Sequence, residues 1–166
     1  REGIIAKVVA VGEALGVQTQ AARLSKKINA ELTAAEEKSR LYNGVRKKVL
    51  FILSTRGGKI LASGQNTAAD SIIKMAGGIN AISEFSGYKP LSDESITVAA
   101  PDVIMMMDRG GDHVIANEKL FAKPSISTTP AAKTKSVIRM NGLYLLGFGP
   151  RTASAVGDLH TALYPE

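Results

Sequence analysis

The first 41 residues of the chain repeat their apolar residues at spacings of three and four. Residues 4–15 carry this pattern in Ile4, Ile5, Val8, Val11 and Leu15. The spacing predicts a helix that stops near Gly16. Residues 18–41 carry a second apolar stripe, and their other faces are Lys, Glu, Gln and Arg, which predicts a longer amphipathic helix. We expect both helices to pack on the rest of the protein and to carry no chemistry.

From Val45 onward, short continuous apolar runs alternate with helical patterns. The runs predict strands at 49–54, 59–63, 102–107 and 135–140. The helical patterns predict helices near 68–76, 93–100, 114–122 and 150–163. Residues 80–89 show no regular pattern, and residues 124–133, rich in Ser, Thr and Pro, are predicted to be a loop.

Strands that alternate with helices are typical of a parallel sheet covered on both faces. We therefore expect an α/β fold with a small, mostly parallel sheet of about four strands flanked by helices, one Rossmann-like lobe. The change of pattern divides the chain into residues 1–44, with the two amphipathic helices, and residues 45–166, the α/β lobe.

Two of the predicted strands end in the same tripeptide, Arg-Gly-Gly. The segments are KVLFILSTRGG (residues 48–58) and PDVIMMMDRGG (residues 101–111). In open α/β sheets, ligands bind beside the carboxyl ends of the strands. Arg56 and Arg109 would place guanidinium groups there, which bind carboxylates or phosphates in bidentate fashion, while Gly57 and Gly110 let a ligand approach the backbone. The pattern indicates an anion site, with a simple polar turn after each strand as the alternative.

Composition narrows the class of partner. The chain has 166 residues, 45% of them hydrophobic, which is sufficient for one domain with a core. Its 21 basic and 15 acidic residues give a net charge of +6, but the basic residues are dispersed and no nucleic-acid motif is present, so nucleic-acid binding is not expected. Because the sequence has no Cys, disulfides, thiolate metal sites and thiol nucleophiles are excluded.

The sequence contains no recognisable catalytic motif. His113 and His160 have no partners at metal-ligand spacing, and Met105–Met107 lie in a buried strand, where packing is the simpler interpretation. Gly147–Thr152 resembles a phosphate loop only superficially, because it matches neither the P-loop nor the dinucleotide pattern. We expect a protein that is not an enzyme, and a small Rossmann-like nucleotide-binding enzyme domain that uses Gly147–Thr152 remains an alternative.

Four segments, in this order, resemble a known family: KVLFILSTRGG, ASGQNTAADSIIKMAGGINAI, FSGYKPLSDESITVAAPDVIMMMDRGG and NGLYLLGFGPRTASAVGDL. They look like the carboxyl-terminal lobe of bacterial haem-binding periplasmic proteins, which are the substrate-binding components of ABC-type haemin importers. The resemblance extends from Val45 to the end. Residues 2–41 are similar to the family's linker helix and the helix after it.

The resemblance implies that haem is bound in a cleft between two lobes. The family's iron ligand, usually a Tyr, belongs to the amino-terminal lobe, which we expect to lie outside this chain because the sequence begins without Met in a helical pattern. Arg56 and Arg109, with Gly57 and Gly110, would face this cleft, where the two Arg side chains would pair with the haem propionates or shield a distal face of the haem. Tyr88 is near the possible rim but is not expected to be the ligand, and the chain alone is expected to bind haem weakly or not at all.

The resemblance also implies partners and a location. Glu94 matches a position where the family carries an acidic residue that docks on the permease; a Glu favoured by the dipole of its helix is the alternative. The expected partners are haem, an ABC permease and its ATPase, in the periplasm. A siderophore or cobalamin carrier of the same architecture is the second candidate.

Overall fold

The computed structural model describes residues 2–108 and 115–165. The helices in these residues are α1 Glu2–Ala14, α2 Gln18–Leu41, α3 Ala68–Met75, α4 Asp93–Ala99, α5 Asn117–Phe121, α6 Pro124–Ser127, α7 Pro130–Thr134, α8 Gly142–Leu146 and α9 Thr152–Leu163. The strands are β1 Lys48–Ser54, β2 Ile60–Ser63, β3 Ile79–Asn80, β4 Tyr88–Leu91, β5 Val103–Asp108 and β6 Val137–Asn141.

Within the described residues the strands form one six-stranded sheet in the order β4-β2-β1-β5-β6, with β3 beside β1. Strands β1, β5 and β6 are parallel, and β2 is antiparallel to both β1 and β4. As a result β4 points the same way as β1, and the carboxyl ends of β1, β4, β5 and β6 share one border of the sheet. We call this border the strand-end edge. The expected α/β fold with a mostly parallel sheet is confirmed.

Both faces of the sheet are covered, as the continuous apolar runs of β1 and β5 require. Val49 and Phe51 point to one face, where α3, α8 and α9 complete the core. Leu50 and Ile52 point to the other face and pack against α4 to α7. All four side chains have 0% exposure, which fixes the register of β1.

Helices α1 and α2 pack on this body as expected. Ile4 on α1 and Ile28 and Leu32 on α2 form a third apolar cluster with Ala153 on α9. In the described part of the chain, no helix has both the length and the apolar character needed to cross a membrane.

Two local predictions were wrong. Residues 124–133 are not a loop, because α6 and α7 begin at Pro124 and Pro130, where a proline at the first helical position needs no N–H partner. Residues 80–89 are not wholly irregular, because they include Asn80 of β3 and the start of β4. Strand β4 is an exposed edge strand with Pro90 inside it, so it has no apolar run to reveal it.

An aromatic cluster fixes the carboxyl end of α2 to the lobe. The rings of Tyr42 and Tyr164 stack with centroids 3.9 Å apart. The Tyr164 hydroxyl donates to the Gly77 carbonyl (2.9 Å) and accepts from the Lys47 N–H (3.1 Å). Burial raises the pKa of Tyr164, so the hydroxyl stays a donor at neutral pH.

Replacing Tyr164 with Phe should lower the free energy of unfolding by about 1–2 kcal/mol, because the Gly77 carbonyl loses a buried donor and the partly buried Lys47 N–H loses its acceptor. Urea unfolding measures this change. Tyr144→Phe is the matched control: its hydroxyl donates to Asp158 at the surface (2.7 Å), and a change below about 0.5 kcal/mol is expected there. Equal losses in both variants would contradict a structural role for the Tyr164 hydroxyl.

Candidate functional site

The turn that follows β1 is built to present Arg56 to solvent. The apolar run ends at Ser54, and the chain then forms one 3₁₀ turn, Arg56–Gly58. Gly57 has φ 63° and Gly58 has φ 78°, a left-handed conformation that favours glycine. The Arg56 backbone N–H donates to the Ser54 hydroxyl at 3.2 Å. These features order the turn before any ligand arrives.

The Arg56 guanidinium is available to bind an anion. Its side chain is exposed and makes no hydrogen bond or ion pair with residues 2–108 or 115–165. A Cβ built on Gly57 or Gly58 would meet no other atom within 4 Å, so the backbone beside Arg56 faces open space. The predicted combination of a cation with accessible backbone is therefore present at the end of β1.

The second predicted pair, Arg109 and Gly110, lies outside the described residues, as does His113. What the structure does show is the strand that leads to them. β5 ends at Asp108 and pairs in parallel with β1, with Ile52 opposite Met106. The two strands that end in Arg-Gly-Gly are thus direct neighbours, and both point to the strand-end edge.

Glu94 lies at the same edge, beyond β2. Leu91, the last residue of β4, pairs with Ile60, which follows the Arg56 turn closely. The Ser92 hydroxyl then caps α4 by accepting from the Ser95 N–H at 3.1 Å. Glu94 stands exposed in the first turn of α4 and has no side-chain partner among the described residues. The predicted docking residue and the predicted anion site therefore share one border of the sheet.

At the other end of the edge, β6 runs directly into α8. The Asn141 carboxamide oxygen caps α8 by accepting from the Tyr144 N–H at 3.0 Å. The next side chain on this helix, Leu143, is 75% exposed. Leu143 is not among the residues predicted from the sequence, although an Asn directly after a predicted strand is a usable signal for a new helix start.

Two further candidates from the sequence, the residue Tyr88 and the loop Gly147–Thr152, contact the apolar core. Tyr88 begins β4 opposite Ser63, so it is at the far end of that strand from the edge, and its ring lies 6.4 Å from the ring of buried Phe51. The loop Gly147–Thr152 is a packing element, because Phe148 contacts two apolar clusters.

No three His, Asp or Glu side chains converge as a metal site in residues 2–108 and 115–165. The strand-end edge itself offers a cation, exposed backbone, an acidic helix start and an aliphatic side chain.

Comparison with known proteins identifies the family. The model of the family described as "Periplasmic binding protein" matches residues 1–142, and the chain belongs to this family. Its members are binding proteins that serve transport rather than catalysis.

Three relatives show the extent of the similarity. The chain is 26% identical to the uncharacterized ABC transporter substrate-binding lipoprotein YvrC of Bacillus subtilis, over 94% of this chain and 48% of that protein. The structure of the periplasmic heme-binding protein BhuT with two hemes matches with a TM-score of 0.92 and 38% identity, over 98% of this chain and 62% of that one. Apo RhuT from Roseiflexus sp. RS-1 is also a periplasmic heme-binding protein. Its structure matches with a TM-score of 0.90 and 36% identity, over 96% of this chain and 61% of that one. The chain thus spans about half the length of the curated relative and less than two thirds of the two solved structures.

Proposed function

We propose that this chain belongs to the haem-binding, substrate-binding component of an ABC importer and that haem is its transported ligand. The observation that carries the proposal is an exposed Arg56, without a side-chain partner in residues 2–108 and 115–165, beside open glycine backbone at the strand-end edge. The identity of the ligand is supported by two relatives named periplasmic heme-binding proteins, BhuT and RhuT, which are 38% and 36% identical to this chain over nearly its whole length. Haem fits such an edge because it carries two carboxylates on a flat apolar ring.

In this proposal Arg56 and Arg109 pair with the haem propionates, and Gly57 and Gly110 let the ring edge approach the backbone. The iron ligand comes from the amino-terminal lobe of the longer protein, and residues 1–44 act as the linker between that lobe and residues 45–166. The chain alone binds haem weakly or not at all, because much of the ligand surface would remain in water.

The proposed partners are a permease and its ATPase, and the proposed location is the periplasm. Relatives named as periplasmic or lipoprotein substrate-binding proteins support an extracytoplasmic site of action. Glu94 is proposed to meet a basic pocket on the permease. Glu94 is exposed and lies at the strand-end edge, so a permease bound there would face the cleft that holds the ligand.

Glu94→Arg should reduce haem import severalfold while leaving haem affinity unchanged, because a charge at the rim of an interface mainly sets orientation and association rate. Import is measured in cells that depend on haem iron, and affinity is measured by haem titration. Glu84→Arg is the control, since Glu84 is also exposed but lies in the connection before β4, away from the edge. Wild-type import by the Glu94 variant would exclude the docking role.

The proposed ligand is tested by titrating the protein, as the cell makes it, with haem, a ferric siderophore, cobalamin and a nucleotide. We expect haem to be the only one of the four ligands that binds tightly, and its binding to produce a new Soret band. Tight binding of the siderophore or cobalamin, without haem binding, would show that the protein is a carrier of that other ligand. Binding of the nucleotide alone would indicate the enzyme-domain alternative.

A further inference from the structure

We propose that Leu143 supplies the apolar contact for the flat face of the ligand, at the β6 end of the strand-end edge, two strands away from Arg56. This inference rests on the proposed function and adds to it. A guanidinium can hold a carboxylate, but it offers little to a macrocycle whose faces are apolar. A haem site on this edge therefore needs an exposed aliphatic or aromatic side chain within the width of the ring.

Leu143 lies at the right place along the edge. It is the second residue of α8, which follows β6 directly. Asn141, at the end of β6, pairs with Asp108 at the end of β5, and β5 pairs with β1. Leu143 is thus two strands away from the Arg56 turn, a lateral separation of about 10 Å at the usual strand spacing. That separation is comparable to the width of a porphyrin ring.

The local structure holds Leu143 in solvent. Leu145 is the core-facing residue of α8, with 0% exposure, whereas Leu143 is 75% exposed. The Asn141 cap fixes where the helix begins. Gly142 fits tightly, because a Cβ there would lie 2.8 Å from the Met107 sulfur. The helix therefore cannot rotate to bury Leu143 without exposing Leu145.

Other large hydrophobic side chains that are exposed in residues 45–108 and 115–165 lie elsewhere. Val45 and Ile79 are close to the amino end of β1, on the opposite border of the sheet. Tyr88, 37% exposed, begins β4 opposite Ser63 and so lies towards that border as well. Val98, 78% exposed, is near the carboxyl end of α4, which runs away from the strand-end edge. A single exposed Leu is common on protein surfaces. Its position on a rigid helix start, at the edge that also carries Arg56, is what indicates a ligand contact.

The two contacts make different demands on the ligand. Arg56 recognises the carboxylates, so its contribution should vanish when they are esterified. Leu143 recognises the ring, so its contribution should persist. Haem and haem dimethyl ester therefore separate the two roles within one protein.

The test uses Leu143→Asn, a neutral change of similar size, in the protein as the cell makes it. We expect the Kd for both haem and its dimethyl ester to rise about fivefold, which corresponds to the loss of one partly buried aliphatic contact. Arg56→Ala should weaken haem binding and leave ester binding unchanged. Val98→Asn is the matched control and should bind both ligands like the wild type. Leu143→Ala, which preserves the helix, should show the same direction of effect if the Asn variant is unstable.

Wild-type affinity of the Leu143 variants for both ligands would overturn the inference while leaving haem binding itself intact. A wild-type protein that binds neither ligand would overturn the proposed function and this inference together. An equal drop in affinity in the Leu143 and Val98 variants would show that a polar side chain anywhere on this surface has the same effect. That result would also overturn the inference.

Discussion

Replacing Arg56 with Ala should raise the Kd for haem about 10- to 30-fold, which corresponds to the loss of one charge-assisted hydrogen-bonded contact near the protein surface. The guanidinium has no partner among the residues that the structure describes, so its removal breaks no bond to any of them. The thermal midpoint should therefore stay at the wild-type value. Haem titration followed in the Soret region, together with a melting curve, measures both quantities in the protein as the cell makes it.

Three further variants test this result. Arg56→Lys keeps the charge but loses the bidentate geometry, so an intermediate affinity is expected. Lys59→Ala removes an exposed cation just after the same turn and should change the affinity only slightly. Combining Arg56→Ala with Arg109→Ala should weaken binding beyond either single change. An unchanged Kd in that double variant would contradict both predicted propionate contacts.

Asp70→Ala should lower the free energy of unfolding by about 2–4 kcal/mol, as expected when a buried, hydrogen-bonded charge is removed. Asp70 is 3% exposed at the start of α3. Its carboxylate accepts from Lys74 Nζ at 2.8 Å, from Asn80 Nδ2 at 3.1 Å and from the Asn66 N–H at 3.2 Å. The change would release the start of α3, the end of β3 and the turn between β2 and α3 at once.

Urea unfolding of Asp70→Ala measures this loss. Asp93→Ala is the matched control, because Asp93 also lies in the first turn of a helix but is exposed and has no side-chain partner in the described residues. A change below about 0.5 kcal/mol is expected for it. Similar losses in the two variants would show that the Asp70 network contributes nothing beyond a helix-end charge.

The same carboxylate predicts a dependence of stability on pH. Burial acts to raise the pKa of Asp70, but the hydrogen bonds from Lys74 and Asn80 and the charge of Lys74 outweigh it, so the pKa is lowered from its ordinary value of 3.8. The folded state then binds the proton less readily than the unfolded chain. The stabilisation is fully present above 3.8 and is lost as the pH falls through the folded pKa. The difference in unfolding free energy between the wild type and Asp70→Asn should shrink from pH 7 to pH 3.

Much of the fold could be predicted because its central strands are buried on both faces. Strands β1 and β5 appear in the sequence as continuous apolar runs, and most of their side chains are buried. The short elements could not be found in this way. Strand β4 lies at the sheet border with exposed residues, and α6 and α7 are single turns whose starts are marked by Pro124 and Pro130.

The candidate site was predictable in part for a similar reason. Arg56 follows a buried strand and precedes two glycines, so its place at the edge follows from the local sequence. The sequence does not distinguish Leu143 from its neighbours, because four of the five residues in Gly142–Leu146 are apolar. Only the cap at Asn141 and the packing of Gly142 against Met107 decide which leucine faces solvent.

A structure of the protein as the cell makes it, with haem bound, tests the central claim most directly. The account predicts a propionate oxygen within about 2.7–2.9 Å of an Arg56 guanidinium nitrogen, with the ring lying over the strand-end edge between Arg56 and Leu143. Haem bound at a surface away from the ends of β1, β5 and β6, with Arg56 still in open solvent, would contradict it.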